Sequence, residues 1–571
     1  TRLVGLLKNA KRELVFDADD QKFNQPIYID HAHSHGAVAG HKVVVEIKTY
    51  KPYLKGNVVE IIGHVGDPGV DILSIVCKYG INDTFSDAVM AEVEKLPSEV
   101  KEEEMVGRRD LRDKTIFTID GADTKDIDDA ISLDMLENGN YSLGVHIADV
   151  SYYVKEGSEI YQEAMERGTS VYLADRVIPM LPHKLSNGIC SLNEGVDRLA
   201  MSCVMEIDSK GNVVSYDIFE SVIRSRKKMT YTDVNKIIEE NIIPEGYEPF
   251  ADTLIKMEEL AQILRKHKVE RGYIDFGIDE SKIIVDETGK AIDIKLRNRG
   301  KGENLIEDFM IAANETVATC IYFMELPFIY RVHGEPNEEK INSFLTFVSS
   351  LGYTLSGKIK DMHPKTMQSI LNQLKDKKEF HILSSLLLRS MQKAIYDTNN
   401  IGHFGLASER YTHFTSPIRR FPDTTVHRLL RKYLFKAQID KDSIMSEEQK
   451  LPYIAEHSSK KERDSIDCER EVDDMKKAEY MMDHIGEKYT GMISGITSFG
   501  MFIELPNLIE GLIKIDSLTD DVYTFDESTI TLKGKKNKRG YRLGDNVDVV
   551  VVAANKEAKT IDFQIDKKAN K

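Results

Sequence analysis

Residues 118–129 read TIDGADTKDIDD, and the rest of the chain is best read outward from them. Asp120, Asp123, Asp126, Asp128 and Asp129 crowd into this stretch, between the apolar segments TIFTID and AISLDML. Both flanks alternate as strands do, so the acidic turn is anchored in a core at each end. Carboxylates held together repel, and each raises the proton affinity of its neighbours unless a cation compensates. Hard divalent cations such as Mg²⁺ take oxygen ligands of this kind. Two such ions about 3.5–4 Å apart activate water and stabilise the leaving oxygen of a phosphodiester. The other readings are a solvated acidic loop or a calcium loop. An EF-hand loop requires Asp at alternate positions, Gly at the sixth and Glu at the twelfth, and this spacing fails that requirement.

Downstream of the cluster, YSLGVHIADV, AMSCVMEID and SYDIFESVI continue the strand pattern. ENLIEDFMIAANETVATCIYFM, NSFLTFVSSLGY, EFHILSSLLLRSMQKAIY and CEREVDDMKKAEYMMDHIG follow at helical spacing. Strands first and helices later predict an α+β domain over residues 112–484. Before it, ELVFDA, PIYID, KVVVEIKTY and GNVVEIIGHV are short β-branched runs punctuated by Gly, Asp and Asn. They predict a small barrel of the OB type over residues 1–85. Residues 86–111 are charged, with a Pro break, and read as a linker carrying a short helix. After the central block, residues 485–567 return to short strands with a basic insertion, KGKKNKR (533–539), and predict a second barrel. Residues 568–571 form a short basic tail. The whole is a multidomain chain, with all-β OB-fold barrels on either side of an α+β domain.

Composition limits what such a chain can be. Its 571 residues exceed one hydrophobic core, and 41% hydrophobic with 30% charged residues is ordinary for a globular enzyme. No run approaches the roughly 18 apolar residues of a membrane helix. Five widely spaced cysteines with no CxxC pair argue against a zinc site and a disulfide framework. The net charge of −17 permits nucleic-acid binding without suggesting it, since field and cleft lining are separate matters. Basic clusters occur locally, at RSRKK (224–228), RNRGK (297–301) and IRR (418–420). There is no signal-peptide pattern, and a cytoplasmic location is expected. The chain starts without Met, which reads as a fragment or a processed form.

The acidic stretch also resembles the catalytic signature of the RNB nucleases, the ribonuclease II and ribonuclease R family. LGVHIADVSYYV (143–154), RGTSVYLADRVIPMLPHKLSNGICSLNEGVDRLAMS (167–202), IEDFMIAAN (306–314) and HFGLASERYTHFTSPIRRFPD (403–423) extend the likeness in order and spacing. It covers nearly the whole chain. The resemblance implies a 3′→5′ hydrolytic exoribonuclease that degrades single-stranded RNA to nucleoside 5′-monophosphates with two bound metal ions. Mg²⁺ is the implied cofactor, with Mn²⁺ as a substitute. The implied partner is single-stranded RNA with a free 3′ end, with no membrane and a monomeric enzyme; contacts to ribosome or RNA-decay machinery are left unspecified. The flanking barrels are implied to be a cold-shock-type and an S-one-type RNA-binding domain. The wording of PHKLSNGICSLN and TSPIRRFPD is nearer the ribonuclease R branch, whose members carry more N-terminal sequence, so a missing N-terminal region is expected.

The same resemblance implies residue roles. Asp120, Asp126 and Asp129 are implied metal ligands, Asp128 the acid most needed for chemistry, and Asp123 none of these. Arg419, between Pro417 and Pro422, is the implied catalytic cation, since a guanidinium fork binds phosphate and developing negative charge. Tyr172 and Phe276 are the implied base-stacking pair, which suits an enzyme indifferent to sequence. Glu307 and Glu469 are implied RNA contacts, as are Phe499 and Phe502 on the second barrel. His146 and Asp149 look like a nuclease pair, with a structural role on a strand the favoured reading. An RNA-binding regulator that does not hydrolyse, or a DNA nuclease, remains compatible with these residues.

Overall fold

A computed structural model describes the protein over residues 2–356 and 363–567. The expected tail at 568–571 lies outside the described residues. At the N-terminal end, strands Arg2–Asn9, Leu14–Ala18, Ile27–Ile29, His41–Thr49 and Lys55–His64 close a barrel. Period-two burial drives it: Leu7, Phe16, Ile27, Ile29, Val43 and Val45 fill its interior. The strand RLVGLLKN, which is not among the β-branched runs, supplies one wall, pairing with both Leu14–Ala18 and His41–Thr49. The barrel ends at His64, and the remainder of the expected first domain contains the helix Val70–Lys78.

Residues 86–111, expected as a linker carrying a short helix, hold the helices Asp87–Glu94 and Glu102–Met105, the first of which packs on the core. The helix Asp87–Glu94 sends Val89 and Val93 into the main core, and Glu92 accepts the Ile160 backbone N–H at 3.1 Å. Arg109–Asp110 forms the edge of the central sheet. That sheet runs Arg109–Asp110, Val213–Arg224, Asp197–Ile207, Tyr141–Ala148, Asp129–Met135, and all pairings but the first are antiparallel. Beside it a short parallel pair joins Thr118–Asp120 to Lys228–Thr230, so Asp120 faces Thr230. The helices Tyr231–Glu240, Ala251–Arg271 and Lys301–Met324 cover one region of this core. The first two of these are not among the helices that periodicity predicts.

Helices Glu338–Ser350, Pro364–Leu374 and Phe380–Ser390 belong with the C-terminal barrel. Ile341, Phe344, Leu371 and Leu383 share one apolar cluster with barrel residues such as Ile493, Ile503 and Phe563. The barrel itself closes Lys488–Thr497, Gly500–Glu504, Glu510–Lys514, Thr560–Ile565 and Asn546–Asn555 in that spatial order. The basic insertion forms the turn between Thr531–Gly534 and Gly540–Arg542, two strands of a separate three-stranded sheet completed by Tyr523–Asp526.

One helix of 42 residues, Lys441–Met482, ties these parts together. Lys476 on it is 1% exposed at its side chain; its Nζ lies 2.9 Å from Asp71 behind the first barrel and 3.1 Å from Glu479. Lys556, in the turn after Asn546–Asn555, pairs with the same two acids. A neighbouring set joins Glu471 to Lys78 and Lys559, each at 2.9 Å. Both barrels are thus clamped to the same helix by buried or half-buried ion pairs.

Candidate active site

The acidic stretch forms a loop between the strands Thr118–Asp120 and Asp129–Met135, and its backbone is held at several points. The Ser191 hydroxyl donates to Lys125 O at 2.6 Å and accepts the Ile127 N–H at 2.9 Å. Leu192 N donates to Ile127 O at 3.0 Å, and Ala148 N to Asp128 O at 2.8 Å. On the opposite side, Lys228 Nζ donates to Thr124 O at 2.5 Å. The loop is a fixed scaffold whose product is the placement of four carboxylates.

Those carboxylates are poorly solvated. Asp128 is 4% exposed, and burial holds its proton affinity well above the usual carboxylate range, with Asp129 and Asp126 adding repulsion. The nearby Arg419 and the Ile418 N–H work in the other direction. Asp120 is pushed up to about 8 by burial and by Asp129, and Asp129 to about 6 by burial. Asp120 Oδ2 and Asp129 Oδ2 are buried without any hydrogen-bond partner. A buried unpaired carboxylate oxygen is costly, and a hard divalent cation satisfies it. Asp123, not among the expected ligands, is exposed at the loop surface. Among the described residues no three His, Cys, Asp or Glu side chains already form a cation cage. The fit of the donor set therefore rests on the two unpartnered oxygens and on the raised proton affinities.

Arg419 arrives from the turn that follows residues 411–416. Phe414 N donates to Asn314 Oδ1 at 2.8 Å, Ser416 N to Asp423 Oδ2 at 2.8 Å, and Thr424 Oγ1 to Pro417 O at 2.8 Å, which fixes the turn. Ile418 N then donates to Asp128 Oδ1 at 2.8 Å. Arg419 Nε stands 3.9 Å from Asp128 Oδ2, and its Nη2 donates to Ser416 Oγ at 3.0 Å. Its side chain keeps 42% of its surface exposed, open to an incoming group. The segment is locked to a second loop, since Ser170 N donates to Arg419 O at 2.9 Å. Gly168, at φ +70°, lets that loop pack against the long helix: a Cβ there would lie 2.8 Å from Lys461 Cβ.

That second loop carries Tyr172, which is 41% exposed. Its hydroxyl donates to Asp126 Oδ2 at 3.1 Å, and its N–H donates to Glu469 Oε1 at 2.9 Å. Glu469 also accepts from Ser465 at 3.2 Å, and burial raises its proton affinity. The structure thus brings together Asp120, Asp126, Asp128, Asp129, Arg419, Tyr172 and Glu469. The four other expected residues make their contacts with other groups. Glu307 is ion-paired with Arg299, and its Oε1 lies 3.7 Å from Lys268 Nζ. Phe276 is half-buried against the C-terminal apolar cluster. Phe499, 54% exposed, meets Phe502 edge-on at 6.1 Å on the second barrel, far along the chain from the acidic loop.

His146 and Asp149 take structural roles. His146 sits between the hydroxyls of Ser132 and Ser202, at 2.9 and 2.7 Å, and burial lowers it to about 3. Asp149 is buried between Arg108 and Arg431. Three neighbours of the site are not evident from motifs. Lys228 lies in the basic cluster RSRKK, but its strand pairs with residues more than a hundred positions away. Tyr231 follows it, and its hydroxyl is raised by burial and by Asp129 and Asp120, which places it beside the cluster. Ser191 sits inside the segment PHKLSNGICSLN, but nothing in that wording marks it as an anchor of the acidic loop.

Comparison with known proteins identifies the domains of the chain and its relatives. The sequence matches the RNB domain over residues 108–436, the Cold shock domain over 16–86 and the S1 RNA binding domain over 483–566. It is 47% identical to Ribonuclease R of Thermotoga maritima, spanning 98% of this chain and 80% of that one. Against Ribonuclease R 1 of Lactococcus lactis it is 44% identical, over 99% of this chain and 68% of the relative. Among solved structures, Mycoplasma genitalium RNase R in complex with ribose methylated single-stranded RNA superposes with a TM-score of 0.93 at 31% identity, covering 99% of this chain and 89% of that one.

Proposed function

The chain belongs to the RNB family of exoribonucleases, among its ribonuclease R members, and from that premise we propose that it removes nucleotides one at a time from the 3′ end of single-stranded RNA. The products are nucleoside 5′-monophosphates, and the enzyme works as a monomer in the cytoplasm. The observation that carries the reading is the pair Asp128 and Arg419, held 3.9 Å apart beside the acidic loop, with the Asp128 carboxylate itself buried. RNA bound in the Mycoplasma genitalium relative supports the choice of substrate. No helix among the described residues is long and apolar enough to cross a membrane.

Asp120, Asp126 and Asp129 would hold divalent cations, Mg²⁺ first and Mn²⁺ as a substitute. Bound there as a pair, such ions supply Lewis acidity, a water of lowered pKa and a stabilised leaving oxygen. The chain's own residues do the rest. Tyr172 offers its ring to the terminal bases while its hydroxyl steadies Asp126. Glu469 fixes the Tyr172 backbone and so the ring's approach. Arg419 presents a fork to the scissile phosphate and to the charge that develops on it. Asp128, gripped through Oδ1 by the Ile418 N–H, keeps Oδ2 to orient Arg419 and the attacking water. Phe276 would take the other side of the terminal bases from Tyr172, Glu307 would contact RNA near the site, and Phe499 and Phe502 on the second barrel would stack on RNA bases there.

The alternative is a chain that binds RNA on this scaffold and does not cut it. Four buried or half-buried carboxylates that repel one another argue against that, because they destabilise a fold that gains nothing from them. The test is a 5′-labelled single-stranded RNA beside a DNA oligomer, with Mg²⁺ or EDTA, for the wild type and Asp128→Asn. Stepwise shortening of RNA alone, dependent on Mg²⁺ and abolished by the substitution while binding persists, is the expected result. Tight binding without cleavage in either Mg²⁺ or Mn²⁺ would leave the non-hydrolysing alternative standing.

A further inference from the structure

Two resident cations flank the acidic loop, and the chemistry proposed for the site employs only one. Arg419 stands on the Asp128 side. Lys228 stands on the other, in the strand Lys228–Thr230 that pairs in parallel with Thr118–Asp120. Its backbone N–H donates to Glu194 Oε2 at 2.8 Å, which secures the strand at this residue. Its Nζ reaches past the strand to Thr124 O, at 2.5 Å, in the middle of the loop. The same charge acts favourably on the Asp120 carboxylate. Thr124 lies between Asp120 and Asp126, so one ammonium ties together the stretch that separates two of the proposed ligands.

We propose that Lys228 is a positioning residue for the cation site: it holds the Thr124 carbonyl and so keeps Asp120 and Asp126 in the relative placement that a divalent cation requires. This rests on the exoribonuclease reading and deepens it. The loop's other half is held by Ser191, at Lys125 O and Ile127 N, so the two residues divide the backbone between them. Lys228 carries a further consequence that Ser191 does not, since a cation beside carboxylates opposes the arrival of another cation. Charge alone therefore predicts tighter metal binding when Lys228 is removed. Positioning predicts weaker binding, and the two accounts differ in sign. The geometry favours positioning, because Lys228 makes a direct hydrogen bond to the loop backbone, whereas its effect on Asp120 acts through space.

The test uses the full chain as wild type, Lys228→Met and Lys228→Arg. Mn²⁺ binding is counted by electron paramagnetic resonance without RNA, and RNA hydrolysis is followed against Mg²⁺ concentration. Residues that orient metal ligands typically change affinity by roughly 10–100-fold when removed. Lys228→Met is expected to weaken Mn²⁺ binding by about that factor and to raise the Mg²⁺ midpoint in parallel. At saturating Mg²⁺ its KM for RNA stays at the wild-type value, and Lys228→Arg restores most of the Mn²⁺ affinity. Unchanged or tighter Mn²⁺ binding in Lys228→Met overturns the proposal while leaving the nuclease reading intact. If Lys228→Met does not fold, Lys228→Gln is measured in its place against the same two outcomes. A wild-type chain that binds no Mn²⁺ and leaves RNA uncut overturns both readings.

Discussion

Replacing Asp120 with Asn should stabilise the metal-free protein at alkaline pH, which is the opposite of what deleting a site residue usually suggests. Asp120 is raised from its ordinary 3.8 to about 8, by burial first and then by Asp129. A carboxyl whose folded value is raised contributes stability that is fully present below the unfolded value. That contribution is lost as the pH climbs through the folded value. For Asp120 the loss therefore runs from about pH 4 to about pH 8. A tenfold rise in proton affinity corresponds to about 1.4 kcal/mol, so the whole rise sets a ceiling of about 6 kcal/mol. Asp129 shares the burial and the repulsion, and relieving one acid relieves the other, so a share of about 2–3 kcal/mol is expected. Melting in EDTA at pH 5 and pH 9, for wild type and Asp120→Asn, reads this directly. With the central domain melting as one unit, the variant should gain roughly 3–4 °C over the wild type at pH 9 and much less at pH 5. Saturating Mg²⁺ should raise the wild type at pH 9 by about 2–3 kcal/mol and raise the variant less. A variant that melts below the wild type at pH 9 in EDTA, or a difference that ignores pH, would refute the reasoning.

Other expectations follow from particular contacts. Arg419→Lys keeps the charge but loses the fork, so kcat should fall by roughly 10²–10³ with little change in RNA affinity, measured by single-turnover hydrolysis. Tyr172→Ala should weaken single-stranded RNA binding by about 1–3 kcal/mol, whereas Tyr172→Phe keeps the stacking ring and should bind RNA as the wild type does. Fluorescence anisotropy with Asp128→Asn in the background separates binding from cleavage. Lys476→Met leaves Asp71 and Glu479 facing Lys556 alone, and should cost about 2–4 kcal/mol locally. Faster hydrogen exchange in the helix Val70–Lys78, with the central sheet unchanged, would register that loss.

The parts of the fold that are legible in the sequence are those whose signal is local. Alternation exposes the strands on either side of the acidic loop, and helical spacing exposes Lys301–Met324. RLVGLLKN escapes notice because its Gly and terminal position weaken the pattern; pairing on both sides makes it a wall of the barrel. Residues 86–111 look like a linker since charge masks the two valines, Val89 and Val93, that bury themselves in the core. Of the site, the aspartates and Arg419 announce themselves through chemistry packed into short motifs. Lys228 and Ser191 do not, because a lysine or serine acquires its role from what the fold places opposite it. Glu469, an RNA contact by resemblance, makes its visible bond to the Tyr172 backbone, a relation between helix and loop nearly three hundred residues apart.

The long helix Lys441–Met482 gives the molecule a gauge. Glu469, which sets Tyr172, and Lys476 and Glu479, which grip both barrels, ride on one rod. At about 1.5 Å per residue, the intervals of seven and ten residues are roughly 10 and 15 Å. A single inserted residue between them would swing the barrels by about 100° around the rod, while a whole turn would keep their heading and shift them by about 5.4 Å. The separation between the barrel clamps and the Tyr172 loop is thereby written in units of helical pitch. Lengthening this helix is a change to the reach of the active site, made without touching a residue that meets the substrate.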